Sequence, residues 1–269
     1  MKISIITPTN NSENNIDKCV QSIISQTYKN FEHIVVDNLS TDRTVEIVKN
    51  IYLENDLSSK LRIISEKDGG ISDAFNKGIE ATTGDIITIL NSDDYYFSQN
   101  VFEEVDKAFN NPKIMFVHGN ILFKDDLYGS NIRKPLLCDV RKAMPFNHLT
   151  MFLRKELYKQ IGLFDIKYKY AMDFDLICRL HKSINNLKFI SVHLDSEPMV
   201  VMKAGGASWS NELKSIEETK KSLKEHGYWN YPAKKNYLFR ILRTRMKKYM
   251  NIFKLNFLVK YWRSKKWKN

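Results

Sequence analysis

Gly84-Asp-Ile-Ile-Thr-Ile-Leu-Asn-Ser-Asp-Asp94 is the stretch whose reading decides the fold. The apolar run Ile86–Leu90 is short, β-branched and not alternating, which predicts a strand buried on both faces, as in a parallel sheet. It ends abruptly in Asn91, Ser92, Asp93 and Asp94. Open α/β sheets bind ligands beyond the carboxyl ends of their strands. Two adjacent carboxylates placed there repel one another unless a cation or a donor offsets them. An oxygen-ligated Mg²⁺ or Mn²⁺ carrying a diphosphate answers that need. Ser and Asp also begin helices, so an N-cap is the plainer alternative.

Outward from this stretch, strands and helices alternate. Ile3–Thr7 is a predicted strand ending at Pro8. Ile16, Cys19, Val20, Ile23 and Ile24 follow at helical spacing, with Ser12 as the expected cap. His33–Asp37 is a second strand; Ser40 or Thr41 would cap a helix presenting Val45, Val48 and Ile51. Leu61–Ser65 makes a third strand and Asp73–Thr82 a helix leading into Ile86–Leu90. The helix Val101–Phe109 then precedes a strand at Ile114–Val117. This βαβ order implies a mostly parallel central sheet flanked by helices. Beyond residue 118 the expected elements are strands at Ile121–Lys124, Lys188–His193 and Pro198–Lys203, and helices at Lys155–Ile161, Asp173–Ile184 and Ser210–His226.

A chain of 269 residues, 43% hydrophobic and 27% charged, has the composition of a folded globular protein. No apolar run approaches the ~20 residues that span a bilayer, and the amino terminus lacks a signal-peptide layout. Cys19, Cys138 and Cys178 match neither a disulfide frame nor a zinc site. A reducing cytoplasm is the expected compartment. The net charge of +11 is unevenly spread: residues 234–269 hold 13 Lys and Arg and no acid, leaving 29 basic against 31 acidic residues before them. The two parts are expected to do different work.

Three more polar clusters follow predicted strands: Thr7-Pro8-Thr9, Asp37-Asn38, and Glu66-Lys-Asp68-Gly69-Gly70. With Asp93-Asp94 they can converge on one sheet edge. Asp37 and Asn38 can hydrogen-bond a base or ribose, and the glycines permit close backbone approach. Neither G-x-G-x-x-G after the first strand nor G-x-x-x-x-G-K-[ST] occurs, which disfavours a dinucleotide oxidoreductase and a P-loop NTPase.

Ile5-Ile-Thr-Pro-Thr-Asn-Asn11, Ser25-Gln-Thr-Tyr-Lys-Asn-Phe-Glu32, Val35-Val-Asp-Asn-Leu-Ser-Thr-Asp-Arg-Thr44, Leu90-Asn-Ser-Asp-Asp94 and Asp173-Phe-Asp-Leu-Ile-Cys-Arg179 together resemble family 2 glycosyltransferases. Gly70-Ile-Ser-Asp-Ala-Phe-Asn-Lys-Gly-Ile79 is similar to the subgroup of bacterial exopolysaccharide, O-antigen and colanic acid biosynthesis. The resemblance runs from residue 1 to about 210. It implies a GT-A fold, a nucleotide-sugar donor, Mn²⁺ or Mg²⁺, and inversion at the anomeric carbon by a hexosyl- or N-acetylhexosaminyltransferase. It places Thr7, Pro8, Thr9, Asp37, Asn38 and Asp68 around the nucleobase and ribose, Asp93 at ribose or metal, Asp94 on the metal, and Asp173 as the general base. Such a base is typically worth 10²–10⁴-fold. On spacing alone, Asp173 reads rather as a cap for the helix bearing Leu176, Ile177 and Leu180, with Arg179 partnering Asp175; it is the resemblance that reverses this.

The sequence departs from many relatives at Asn91 and Met172, where they carry an acid, and from some at Phe75, where an Arg contacts the nucleotide. Lys77 is a candidate to balance the diphosphate in its place. Asn38, where an acid is usual, loosens the assignment of uracil. His148, after Pro145-Phe-Asn, and Trp209, in Lys203-Ala-Gly-Gly-Ala-Ser-Trp209, are candidates for the acceptor site.

In the tail, Leu238, Leu242, Met246, Tyr249, Phe253 and Phe257 fall near one helical face, with Arg240, Arg243, Lys247 and Lys254 opposite. Basic amphipathic helices bind anionic membranes, where each charge is worth ~1 kcal/mol; nucleic acid, a partner helix, or folding back to cover the sheet are the other readings of this pattern. The resulting expectation is a GT-A domain over 1–227, with a nucleotide-binding half at 1–118 and an acceptor-binding half at 119–227, and a basic amphipathic extension over 228–269. The enzyme would use a UDP-linked sugar and a lipid-linked oligosaccharide acceptor on the cytoplasmic membrane face, with residues 234–269 on the lipid and no nucleic acid partner. A sugar-phosphate nucleotidyltransferase and a non-catalytic membrane-associated binding protein are the alternatives.

Overall fold

The computed structural model describes residues 1–125, 129–184, 187–205 and 211–252. Among these, nine strands form one sheet in the order β3-β2-β1-β4-β8-β6-β9-β5, with β7 pairing β6 at the side. The first four in sequence are β1 (Ile3–Thr9), β2 (Phe31–Asp37), β3 (Leu61–Ser65) and β4 (Ile86–Ile89). All their mutual pairings are parallel. They are joined by α1 (Ile16–Ile24), α2 (Thr44–Glu54) and α3 (Ile71–Ala81). Their apolar runs serve two cores because strand side chains alternate between faces. Ile6, Ile34, Ile87 and Ile89 join one core, with α3; Ile3, Ile5, Val35 and Ile86 join the other, with α1 and α2. Fully burying an isoleucine contributes roughly 1.5–3 kcal/mol, which explains why these strands carry apolar residues on both faces.

Pro8 does not end β1; the strand runs on to Thr9, pairing Pro8 with Val36. The carbonyl of Ile6 accepts from Leu90 on the β4 side and that of Thr9 accepts from Asn38 on the β2 side. By alternation Pro8 faces β4, whose pairing with β1 stops at Ile6↔Ile89. No ladder donor is lost, so the proline is tolerated. The expected caps also differ. Ser12 Oγ binds Asn10 O and Ser92 Oγ rather than the first turn of α1. Ser40 turns back onto Asp37, and it is Asp42 Oδ1 that accepts the N–H of Thr44 at the start of α2.

The second half adds antiparallel pairing, which makes the sheet mixed. After β5 (Tyr95–Tyr96) and α4 (Val101–Phe109) come β6 (Phe116–Lys124), β7 (Asn131–Arg133), β8 (Phe152–Arg154), α5 (Lys155–Ile161), α6 (Met172–Ser183), β9 (Ser191–Lys203) and α7 (Glu212–Glu225). The two short strands expected around residues 114–124 are the single strand β6. Those expected at 188–193 and 198–203 are likewise the single β9, preceded by a 3₁₀ turn at Leu187–Phe189. The register between β6 and β9 slips around Gly119 and Asn120, and Pro198 pairs Asn120 at that irregularity. A bulge breaks the apolar pattern of both strands, so each reads as two pieces.

The final helix, α8 (Tyr231–Ile252), packs against α7. Its orientation is unusual. Arg243 Nη2 and Lys247 Nζ lie 3.6 and 3.4 Å from Glu212 of α7. Leu238, Leu242, Met246 and Tyr249 are 67%, 55%, 49% and 62% exposed. The basic stripe faces the body and the apolar stripe faces outward. Phe253, Phe257, Lys254 and Lys260 lie outside the described residues.

Candidate functional site at the carboxyl edge of the sheet

Because β1 to β4 run parallel, their polar carboxyl ends share one edge. Asp37, at the end of β2, is fully buried. Its carboxylate accepts from Ser65 Oγ at 2.6 Å, Ser40 Oγ at 2.5 Å and Ser40 N at 3.1 Å. Asn38 links the strand ends: its N–H donates to Thr9 O at 2.9 Å and its Oδ1 accepts from Asp68 N at 3.0 Å. Asp68 Oδ1 in turn accepts from Gly70 N at 2.9 Å and holds the glycine turn before α3. Gly70 has φ +120, a conformation that favours glycine.

The threonines of β1 point inward. Thr7 Oγ1 bonds His33 Nε2 at 2.9 Å, and His33 Nδ1 bonds Tyr52 OH at 2.9 Å. Burial lowers His33 to about 3, which keeps the ring neutral. The Thr7 hydroxyl is thus committed to the core. Thr9 Oγ1 is buried with no hydrogen-bond partner. What this strand end offers a ligand is Thr9 and backbone around Pro8.

Asp93 and Asp94 follow β4, as the sequence indicates. Asp94 is 2% exposed, and its carboxyl is pushed up to about 8, by burial first and the adjacent Asp93 second. Asn91 Nδ2 donates to Asp94 Oδ2 at 3.2 Å, and the Lys203 N–H donates to Oδ1 at 3.3 Å. The amide oxygen of Asn91 is buried and unpartnered. Among the described residues no three His, Cys, Asp or Glu side chains gather as a complete metal cage. What lies here is an open oxygen set of two carboxylates and one orphaned amide oxygen. That set fits a hard divalent cation that keeps water and takes its remaining ligands from phosphate.

Lys203 was not among the sequence candidates. It arrives because β5, just after Asp94, pairs β9 through Tyr95↔Val201 and Tyr96↔Val200. Its ammonium lies 3.4 Å from Asn15 Oδ1 and its charge lowers the Asp94 carboxyl. Lys77, by contrast, is paired with Glu66 at 2.8 Å and with Asp73 at 3.5 Å. Phe75 is a core residue.

Asp173 lies in the first turn of α6, partly exposed, while Ala171 occupies the cap position. Among the described residues its Oδ1 accepts only the neighbouring N–H of Phe174, at 2.8 Å, so it is no N-cap. Asp175, not Asp173, is the buried anchor: it binds Arg179 Nε at 3.0 Å, Ser222 Oγ at 3.0 Å and His226 Nε2 at 2.8 Å. Glu218 on α7 accepts the N–H groups of Lys169, Tyr170 and Ala171 at 3.1, 2.7 and 2.9 Å, fixing the segment that enters α6. No local pattern marked Glu218, since its partners are backbone amides almost fifty residues away.

His148 sits within electrostatic reach of Asp173; burial lowers its pKa and the carboxylate opposes that shift. Its ring lies 5.9 Å from Phe75 and 6.0 Å from Phe164. The structure therefore brings His148 to Asp173. Trp209 lies outside the described residues.

A parallel half-sheet with carboxylates at its edge, extended by a mixed second half, is the architecture of nucleotide-diphospho-sugar transferases. The model of glycosyl transferase family 2 matches residues 4–172, and the chain belongs to that family. An uncharacterized glycosyltransferase of Haemophilus influenzae is 31% identical over 189 residues, covering 68% of this chain and 74% of that protein. A PGL/p-HBAD biosynthesis glycosyltransferase of Mycobacterium tuberculosis is 31% identical over 182 residues, covering 65% and 68%. The crystal structure of S. aureus TarS 1-349 in complex with UDP-GlcNAc superposes with a TM-score of 0.66 at 22% identity, over 84% of this chain and 65% of that one. The Pyrobaculum calidifontis mannosyltransferase PcManGT, in complex with GDP-Man and Mn²⁺, gives 0.64 at 16% identity, over 87% and 67%. These structures share the GT-A fold with this chain. Among its described residues no helix is long and apolar enough to cross a membrane.

Proposed function

We propose that this chain moves a sugar from a nucleotide diphosphate to an acceptor hydroxyl with inversion, in the assembly of a bacterial surface polysaccharide. The observation that carries this reading is the buried carboxyl of Asp94 beside Asp93, with the Asn91 oxygen unpartnered and Lys203 adjacent. A carboxyl that burial and a like charge hold near neutrality gains from a cation. Asp94, with Asp93 and Asn91 Oδ1, would hold Mn²⁺ or Mg²⁺, which when bound offsets charge on the departing nucleotide diphosphate. Lys203 supplies a second positive charge there, in place of the arginine missing at position 75.

Thr9, the Pro8 backbone, Asn38, and Asp37 and Asp68 behind it form the base and ribose side, rigid because their polar atoms already tie three strand ends together. Asp173 takes the proton from the acceptor hydroxyl through Oδ2, since Oδ1 accepts from Phe174 N. Direct displacement needs one such base and no enzyme nucleophile. His148 lines the acceptor side. Residues 1–227 act as the catalytic unit, with residues 1–118 on the donor and 119–227 on the acceptor. Residues 228–269 act as the extension, lying on the cytoplasmic face of the membrane, where the acceptor is a lipid-linked saccharide. The outward apolar stripe of α8 supports that placement.

UDP is the favoured nucleotide, as in the TarS complex, with GDP the comparison, as in PcManGT. Calorimetric titration of UDP with Mn²⁺, with EDTA, and with Asp94→Asn tests the site. Binding that requires Mn²⁺ and is lost in Asp94→Asn is expected. Binding indifferent to both changes would overturn the donor site; GDP binding alone would overturn only the choice of base.

A further inference from the structure

β9 lies between β5 and β6, and the three bring two lysines together beside Asp94. Lys124 and Lys203, the last residues of β6 and β9, are register partners in a parallel pair, and Ala204 N donates to Lys124 O at 2.8 Å. Paired residues of neighbouring strands point to the same face. Tyr95, the residue after Asp94, pairs Val201 from the other side of β9. Val201 and Lys203 are two apart, so Tyr95, Lys203 and Lys124 share one face. On that face the Lys124 ammonium reaches across β9 and donates to the Tyr95 hydroxyl at 3.0 Å, 5.6 Å from the ring centre. The Lys203 ammonium lies 3.4 Å from Asn15 Oδ1. Each lysine thus meets a neutral oxygen, and among the described residues neither joins an ion pair. Like charges held side by side on neighbouring strands are unfavourable alone and favourable once an anion lies against both.

Resting on the transferase reading above, we propose that Lys124, with Lys203 beside it, binds the β-phosphate of the donor nucleotide. The order of the strands supplies the direction. On that reading base and ribose lie at the ends of β1 to β3, Asp93 and Asp94 follow β4, and β5 leads on to β9 and then β6. A diphosphate running from the ribose over Asp94 therefore meets Lys203 first and Lys124 last, at its terminal phosphate. Strand pairing fixes both backbone positions, and the four-carbon stem of Lys124 turns from the phenol to the phosphate. The reaction gives this contact its use. A nucleoside diphosphate leaves with one more negative charge than it carried in the sugar ester. Asp93 and Asp94 offset the charge of a divalent cation, so the metal alone leaves the phosphates unbalanced. Two ammonium groups placed where that charge develops stabilise departure more than they stabilise the intact donor.

Calorimetry of the full chain with Mn²⁺ tests this by comparing UDP with UMP, which has no β-phosphate. Lys124→Met is expected to weaken UDP about tenfold, some 1.4 kcal/mol. The same variant should hold UMP within twofold, which also shows that it folds. Lys124→Arg, which keeps the charge, should regain part of the loss. Tyr95→Phe should hold UDP within twofold; a lysine that merely ties β6 to β5 through the phenol would make the two variants lose alike. Unchanged UDP affinity in Lys124→Met, or an equal loss for UDP and UMP, would overturn the proposal while leaving the Mn²⁺-dependent donor site standing. A wild-type chain that binds neither UDP nor GDP with Mn²⁺ would sink the donor reading, and this contact with it.

Discussion

The backbone N–H of Lys203 donates to Oδ1 of Asp94 at 3.3 Å, so the last residue of β9 closes over the carboxyl that follows β4. The two are 109 positions apart, and β5 joins them by pairing with β9. The carboxyl is raised from the ordinary 3.8 to about 8. Between those values the folded chain keeps a proton that the unfolded chain has released. Stability is therefore full below pH ~4 and declines as pH rises toward 8, by up to about 6 kcal/mol in the absence of metal. Thermal melts from pH 5 to 8.5 in EDTA should show that decline, and Asp94→Asn should flatten it. Mn²⁺ must displace the proton, so its affinity should weaken up to about tenfold per unit below pH 8.

Asp173→Asn should leave folding and UDP affinity unchanged. Asn keeps an oxygen for the Phe174 N–H, and the cap position belongs to Ala171. Turnover should fall by about 10²–10⁴-fold. A variant that keeps wild-type turnover would remove Asp173 from the chemistry.

Glu218 is expected to position Asp173 without touching substrate. Glu218→Ala strips the acceptor from three N–H groups at residues 169–171 and should cost about 1–2 kcal/mol in denaturant unfolding. Turnover should fall at least tenfold while UDP–Mn²⁺ affinity holds, and Glu218→Gln, which retains one oxygen, should recover much of the rate. Equal losses in both readouts would mark it as a general stability residue.

Gly78→Ala tests the contact between α3 and the sheet. A Cβ at Gly78 would fall 2.3 Å from Ile6 Cγ2, inside a packed core. The helix must lift from β1, which should cost roughly 1–3 kcal/mol, despite the better helix propensity of alanine. The midpoint of urea unfolding measures it.

The exposed stripe Leu238, Leu242, Met246 and Tyr249 should drive membrane binding. Co-sedimentation with vesicles rich in phosphatidylglycerol should exceed that with phosphatidylcholine and weaken with salt. Leu242→Glu should reduce it severalfold without lowering the melting temperature, because that side chain is more than half exposed.

The first four strands and the carboxylates Asp37, Asp93 and Asp94 were legible because parallel strands need continuous apolar runs and turn polar where they end. The second half was harder. The bulge at Gly119 and Asn120 interrupts β6 and β9, and each reads as two short strands. Ser12 and Ser40 resemble helix caps, but their hydroxyls found nearer partners in Ser92 and Asp37. Thr7 fits a ligand-facing motif, yet its hydroxyl is spent on His33, a choice made by which face of β1 it occupies.

By itself the sequence determined the alternation of strand and helix, the polar edge they converge on, and the family to which they belong. These follow from local periodicity and from residue types adjacent in the chain. Tertiary structure alone decided that Lys203 meets Asp94, that Glu218 holds the entry to α6, and that α8 lays Arg243 and Lys247 against Glu212. Each joins groups tens of residues apart through strand pairing or helix packing. Such contacts leave no periodic trace in the chain, because the geometry that creates them belongs to the assembled fold.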